Sequence, residues 1–229
     1  MNHEPMTTQP DAYLANDYST KRADYFTSAR RDFVAVLAAD KNARILELGC
    51  GNGATGALAL QDGKCGTYVG IEMFEPMARE AEKVLSAVHI GDVQSMKLPY
   101  EPASFDVLIC SEVLEHLMDP DAVLADLAKL VKPGGMVLAS SPNISHWRII
   151  AGLVGGRFEY TDWGVMDRTH LRWFTPRSFR ELFEGAGFEI TNMRQHAVLP
   201  AWKRMIYGAL GPFRHLAWLQ IQIEGRKRG

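Results

Sequence analysis

Three carboxylates and a run of glycines carry the first chemistry this sequence offers. Arg44-Ile45-Leu46-Glu47-Leu48 reads as a short buried strand that stops at Gly49-Cys50-Gly51-Asn52-Gly53. Glycines at the end of a strand let the turn take positive φ and let a ligand rest on main chain where a Cβ would block it. A second apolar run, Thr67 to Ile71, ends at Glu72, whose two oxygens suit the paired hydroxyls of a ribose. After a third run comes Gly91-Asp92-Val93, where an acid can accept from an adenine amino group. The residues expected to line a nucleoside site are Glu47, Gly49, Cys50, Gly51, Gly53, Glu72, Met73, Asp92, Val93 and Ser111.

Two cofactors compete for that site. Gly51-Asn52-Gly53-Ala54-Thr55-Gly56 matches the G-x-G-x-x-G of dinucleotide sites, with Glu72 about 20 residues on, as a nicotinamide cofactor requires. Glu47 two residues ahead of the first glycine, Gly49 extending the run to G-x-G-x-G, and the Gly91-Asp92 turn favour an adenosine-bearing methyl donor instead.

The acceptor side is expected in Ser111-Glu112-Val113-Leu114-Glu115-His116. On a helical turn, positions i, i+3 and i+4 share a face, so Glu112, Glu115 and His116 would converge. An acceptor hydroxyl must lose its proton during transfer, and histidine is suited to take it near neutral pH. Two carboxylates and an imidazole also suit magnesium, manganese or zinc, although a metal is not expected here.

The elements that must position these groups alternate. Helical spacing over 23–39, with Phe26, Phe33, Val36 and Leu37 apolar, precedes the first strand. Helices are expected over 54–61, 76–86, 121–131 and 177–185, and strands over 44–48, 67–71, 87–90, 105–110, 135–139, 188–193 and 216–224. Spacings this long exclude hairpins and call for a parallel, doubly wound α/β sheet. Residues 1–22 read as an arm and 23–229 as one domain. Residues 142–176 break the rhythm as an insertion covering the acceptor site.

The 229 residues are 47% hydrophobic, enough for one full core, and the net charge of -2 gives no electrostatic case for a nucleic-acid partner. Three scattered cysteines make neither a disulfide framework nor a zinc cluster. The polar first ten residues and the lack of a long apolar run predict a cytoplasmic protein without a transmembrane segment. Oligomeric state is not legible.

The ordered set resembles the class I S-adenosylmethionine-dependent methyltransferases, of the type 11 and type 23 kind. Ile45 to Gly53 resembles their motif I, Val69 to Glu72 motif II, Gly91 to Val93 motif III and Ser104 to Cys110 motif IV, and Leu130-Val131-Lys132-Pro133-Gly134-Gly135 resembles the turn before their fifth strand. The resemblance implies a Rossmann-like seven-stranded sheet with helices on both faces, and S-adenosylmethionine as donor with S-adenosylhomocysteine as product. It places Gly49 to Gly53 under the methionine portion, Glu72 at the ribose and Asp92 at adenine. Glu-x-x-Glu-His is similar to a run in ubiquinone-pathway and small-RNA O-methyltransferases that helps bind metal, where a later histidine completes the site; His170 is its counterpart. Glu112, Glu115, His116 and His170 are therefore the catalytic candidates. Around Pro142 to Thr175 the chain also resembles bacterial methyltransferases of polysaccharide synthesis and, more loosely, a non-catalytic methionine-pathway protein.

O-methylation of a small molecule or a sugar or glycan precursor is the expected reaction. A non-catalytic donor-binding module and a nicotinamide oxidoreductase are the alternatives. Trp163, Trp173 and Phe174 among Asp167, Arg168 and His170 suit a ring-bearing acceptor. Arg168, Arg172, Arg177 and Arg180 either meet phosphates or pair with Asp162, Asp167, Glu181 and Glu184. The amphipathic stretches 149–154 and 202–210 are expected to cover the site, the alternative being a membrane surface.

Overall fold

The computed structural model describes residues 29–195 and 210–229. Seven strands form one sheet: β1 (Arg44–Leu48), β2 (Thr67–Glu72), β3 (Ala87–Ile90), β4 (Phe105–Ser111), β5 (Val131–Pro142), β6 (Phe188–Gln195) and β7 (Gln220–Lys227), in the order β3-β2-β1-β4-β5-β7-β6. β1 to β5 run parallel. β7 pairs antiparallel with both β5 and β6, so the seven-stranded sheet is as expected in its strand number but mixed where the spacing calls for parallel pairing. The sequence gives no sign of this, because a strand's apolar pattern does not encode its direction.

The α-helices are α1 (Arg31–Val36), α2 (Ala54–Gln61), α3 (Glu75–Ala81), α4 (Pro120–Leu130), α5 (Trp147–Val154) and α6 (Pro176–Gly185). Helix starts follow local chemistry. The Asp119 side chain accepts from Ala122 N ahead of Pro120, and Thr175 with Ser178 forms a capping box ahead of Pro176. Of the helix expected over 23–39, the described residues 29–39 are helical only over Arg31–Val36, Leu37 already being extended; residues 23–28, with Phe26, lie outside the described residues, as do the arm 1–22 and 202–209. The last strand begins at Gln220, later than expected, because Gly211–Ala217 winds as 3-10 helix.

Alternation along the strands builds two cores. Leu46, Leu48, Leu108 and Cys110 face Leu124 and Leu127 of α4 and Phe179 and Phe183 of α6. Ile45, Val107 and Ile109 face Phe33 and Val34 of α1 and Ala59 of α2. The three-layer arrangement leaves a crevice where the strand order turns, at the carboxyl ends of β1 and β4.

Candidate active site

A cavity of about 300 Å³ opens at that crevice. Its wall holds nine of the ten residues expected for a nucleoside: Glu47, Gly49, Cys50, Gly51, Glu72, Met73, Asp92, Val93 and Ser111. The tenth, Gly53, turns away. It precedes α2 with φ 81°, and a Cβ there would lie 2.9 Å from Val84 Cγ2, so its lack of a side chain serves the packing of α3's trailing turn. Gly49, at φ 71°, donates through its N to Ile71 O, and a Cβ on it would meet Val113 Cγ2 at 2.9 Å.

Glu72 ties the site together. Its Oε2 accepts from Gly51 N and its Oε1 from Phe74 N, both at 2.8 Å. Burial pushes its carboxyl up from the usual range, against the pull of those backbone donors. Glu47 is also buried and accepts from the Tyr68 hydroxyl at 2.8 Å. Burial raises it to about 7, opposed by the Tyr68 bond and the nearby Arg30 charge. Asp92 closes its own turn by accepting from Gln94 N at 2.9 Å.

The acceptor residues are arranged otherwise than a helical face would place them. Glu112 adopts φ 49°, a left-handed conformation, as the chain leaves β4. Only Leu114–His116 winds, as one 3-10 turn. Glu112 and His116 line the cavity, Glu112 Oε2 accepting from Gln220 Nε2 at 2.9 Å. Glu115 instead turns inward, where Ser141 Oγ donates to its Oε2 at 3.1 Å and its Oε1 is buried without a hydrogen-bond partner. Burial, then the charge of Glu112, pushes the Glu115 carboxyl well up. His116 and His170 meet edge to face, their centroids 4.8 Å apart. The Nδ1 of each lies 3.1 Å from a backbone carbonyl, Thr169 O and Val165 O respectively. Glu115, His116 and His170 each bring a donor atom within 4.8 Å of the others, a cluster with the composition of a divalent-metal site.

Sequence reasoning missed Arg30, Thr55, Phe74, Gln94 and Gln220, all in the cavity wall. Arg30 grips Asp32 with two nitrogens, at 3.0 and 2.9 Å, and reaches Ser140 Oγ at 2.6 Å and Ser111 Oγ across the tips of β4 and β5. Its guanidinium lies 3.9 Å from the centre of the Phe33 ring. Phe74 and Gln94 follow recognised motifs directly and were findable by extension. Gln220 arrives on β7, which nothing local announces. The insertion contributes no residue to the cavity wall and meets it through Thr169 and His170, both against His116, and through Pro142, which pairs with Gln220. Of the four arginines weighed for phosphate, three form pairs instead: Arg168 with Asp162 at 3.0 Å, Arg177 with Glu181 at 2.8 Å and Arg180 with Glu184 at 3.5 Å. Arg172 donates to the carbonyls of Leu171 and Met118.

A family profile described as a methyltransferase domain matches residues 20–192. The chain belongs to this family. The methyltransferase is 33% identical over 137 residues to a protein named ubiquinone biosynthesis O-methyltransferase from Paracidovorax citrulli, covering 56% of each chain. It is 29% identical over 175 residues to a protein of the same name from Xanthomonas campestris pv. campestris, covering 69% of this chain and 73% of the relative. The matched stretches thus span from just over half to about three quarters of these two relatives. Among solved structures, an S-adenosylmethionine-dependent methyltransferase from Mesorhizobium loti superposes with TM-score 0.62 at 17% identity, over 87% of this chain and 98% of that one, which shows the fold. Family membership makes S-adenosylmethionine the donor and decides against the nicotinamide reading of Gly51 to Gly56.

Proposed function

We propose that this methyltransferase transfers the methyl group of S-adenosylmethionine to a hydroxyl of a small ring-bearing molecule or a sugar or glycan precursor, in the cytoplasm. The observation that carries the reading is His116, which lines the donor cavity while its Nδ1 lies 3.1 Å from Thr169 O. A carbonyl can only accept, so in the neutral ring this contact puts the proton on Nδ1 and the lone pair on Nε2, the form a base needs. The acceptor oxygen attacks the sulfonium methyl in line. The C–S bond breaks as the O–C bond forms, S-adenosylhomocysteine leaves, and the hydroxyl proton passes to His116. Glu72 takes the ribose hydroxyls, Asp92 the adenine amino group, and Arg30 offers positive charge to the donor's carboxylate. The name of the two relatives supports oxygen as the acceptor atom. Residues 165–174 pack behind His116 through Thr169 and His170 and so back the acceptor side of the cavity without lining it. Incubation with methyl-labelled donor and a panel of diphenols, phenols and free or nucleotide-linked sugars tests the reading. Label is expected in an O-methyl product, whereas label moving only to amines or to none of the hydroxyl acceptors rejects it.

A second reading is favoured by the buried, unpartnered Oε1 of Glu115: a divalent cation held by Glu115, His116 and His170. The two Nδ1–carbonyl contacts fit it, because metal-binding imidazoles characteristically donate their other nitrogen to such acceptors. When bound, the cation supplies Lewis-acid stabilisation of the acceptor oxygen. Metal analysis after dialysis against zinc, manganese or magnesium is expected to give one equivalent in the wild type and none in His170→Ala; retention by that variant removes the assignment.

A further inference from the structure

We infer that the exposed apolar face of residues 147–163 docks the protein on the surface of an anionic lipid bilayer. This goes beyond the proposed reaction and does not depend on which acceptor is methylated. α5 alone among the described α-helices buries no residue. Trp147 and Leu153 are each about half exposed and Ile150 more than a third, Val154 is 85% exposed, and the loop that follows adds Phe158, Tyr160 and Trp163, the last 78% exposed. Monomeric soluble proteins seldom leave so continuous an apolar strip in water.

Charge identifies the occupant. From Asn143 to Phe158 the chain holds no acid, and it carries Arg148 and Arg157, both exposed, in a molecule of net charge -2. The Arg148 guanidinium lies 5.4 Å from the Trp147 ring, so the apolar and cationic groups share one surface. Of the acids beyond, Asp162 is paired with Arg168 at 3.0 Å, and Glu159 is exposed. Leucine and isoleucine flanked by tryptophan, tyrosine and arginine is the composition that settles at the boundary of headgroups and acyl chains. A second copy would bring the same strip with the same two arginines and no acid over 143–158 to pair them, whereas an anionic surface neutralises both. No helix among the described residues is long and apolar enough to cross a membrane, so contact would be at the surface, with the helix in the plane. The loop is held to the body rather than trailing from it: the rings of Phe158 and Tyr160 each lie 6.2 Å from that of Trp173. α5 also starts just beyond the tip of β5, where Pro142 pairs with Gln220 of the cavity wall, so docking sets the cavity's acceptor side close to the lipid.

Flotation of the full chain with vesicles tests this. The wild type is expected to float with vesicles of equimolar phosphatidylcholine and phosphatidylglycerol, to stay behind with phosphatidylcholine alone, and to be released by high salt. Arg148→Ala with Arg157→Ala should weaken partitioning about fivefold per arginine. Leu153→Asp with Val154→Asp should abolish it while circular dichroism and affinity for S-adenosylhomocysteine stay at wild-type values. A wild type that ignores the anionic vesicles overturns the inference, as does undiminished flotation of the aspartate variant. A wild-type dimer in light scattering that the aspartate pair dissociates, without any vesicle binding, overturns it in favour of self-association.

Discussion

Replacing Glu72 by glutamine should weaken donor binding separately from any cost to stability. Both Glu72 oxygens already accept from a backbone N–H at 2.8 Å, and a carboxylate offers about four lone-pair sites, so each oxygen keeps one for a ribose hydroxyl. An amide keeps one such oxygen. Its NH2 can accept from neither Gly51 nor Phe74, nor from a hydroxyl. The variant therefore loses one charge-assisted contact to the donor, roughly 1.5–3 kcal/mol, which is about a 10- to 150-fold rise in Kd. One backbone N–H is also left facing another donor, a cost to the free protein of about 1–3 kcal/mol. That cost is offset in part, because burial already disfavours the charge that glutamine removes. Calorimetric titration with S-adenosylhomocysteine at pH 8, paired with urea unfolding of the free protein, separates the two effects. A Kd within threefold of wild type would refute the assignment of Glu72 to the ribose, whatever happened to stability.

Three further outcomes are expected. Gly49→Ala must hold alanine at φ 71° with its Cβ 2.9 Å from Val113, which should destabilise the free protein by about 1–3 kcal/mol and weaken donor binding; an unshifted urea midpoint would show that the turn relaxes freely. Glu47, raised from 4.5 to about 7, favours its protonated form in the folded protein, so its contribution is whole below pH 4.5 and lost as pH rises through 7. Glu47→Gln keeps an acceptor for Tyr68 and should flatten the stability profile between those pH values, by up to about 3 kcal/mol; parallel profiles for variant and wild type would contradict this. His116→Ala should lower turnover by about 10²–10⁴-fold while S-adenosylhomocysteine affinity changes little, and wild-type turnover in the variant would remove His116 from proton transfer.

The part of the cavity wall expected to meet the donor was legible because each piece of it is local. A strand, its terminal glycine and the acid ending the next strand lie in short continuous runs, and parallel pairing sets those strand ends side by side, as with Glu47 opposite Gly70 and Leu48 opposite Ile71. The acceptor half was read less well because its geometry is decided away from its residues. The spacing of Glu112, Glu115 and His116 implies one face only if the segment is helical, and Glu112 N instead bonds Ser140 O and sends the chain into a left-handed turn. Arg30 precedes its helix and acts through serines on two distant strands, and Gln220 rides a strand whose direction has no sequence signature. The helix at 147–154 was visible as an amphipathic stretch, yet which side of it meets the protein is a tertiary matter. Its residues stand out in solvent and none lines the cavity.

The seating of β7 between β5 and β6 sets an order of assembly. During synthesis β6 emerges before the strand that will flank it, and until β7 is released from the ribosome β5 keeps one open edge and β6 has no neighbour at all. The strands β1 to β4 that frame most of the cavity come first in the chain, whereas the wall carrying Gln220 joins only at the final step of sheet closure, so the cavity is completed last on the side where Gln220 meets Glu112.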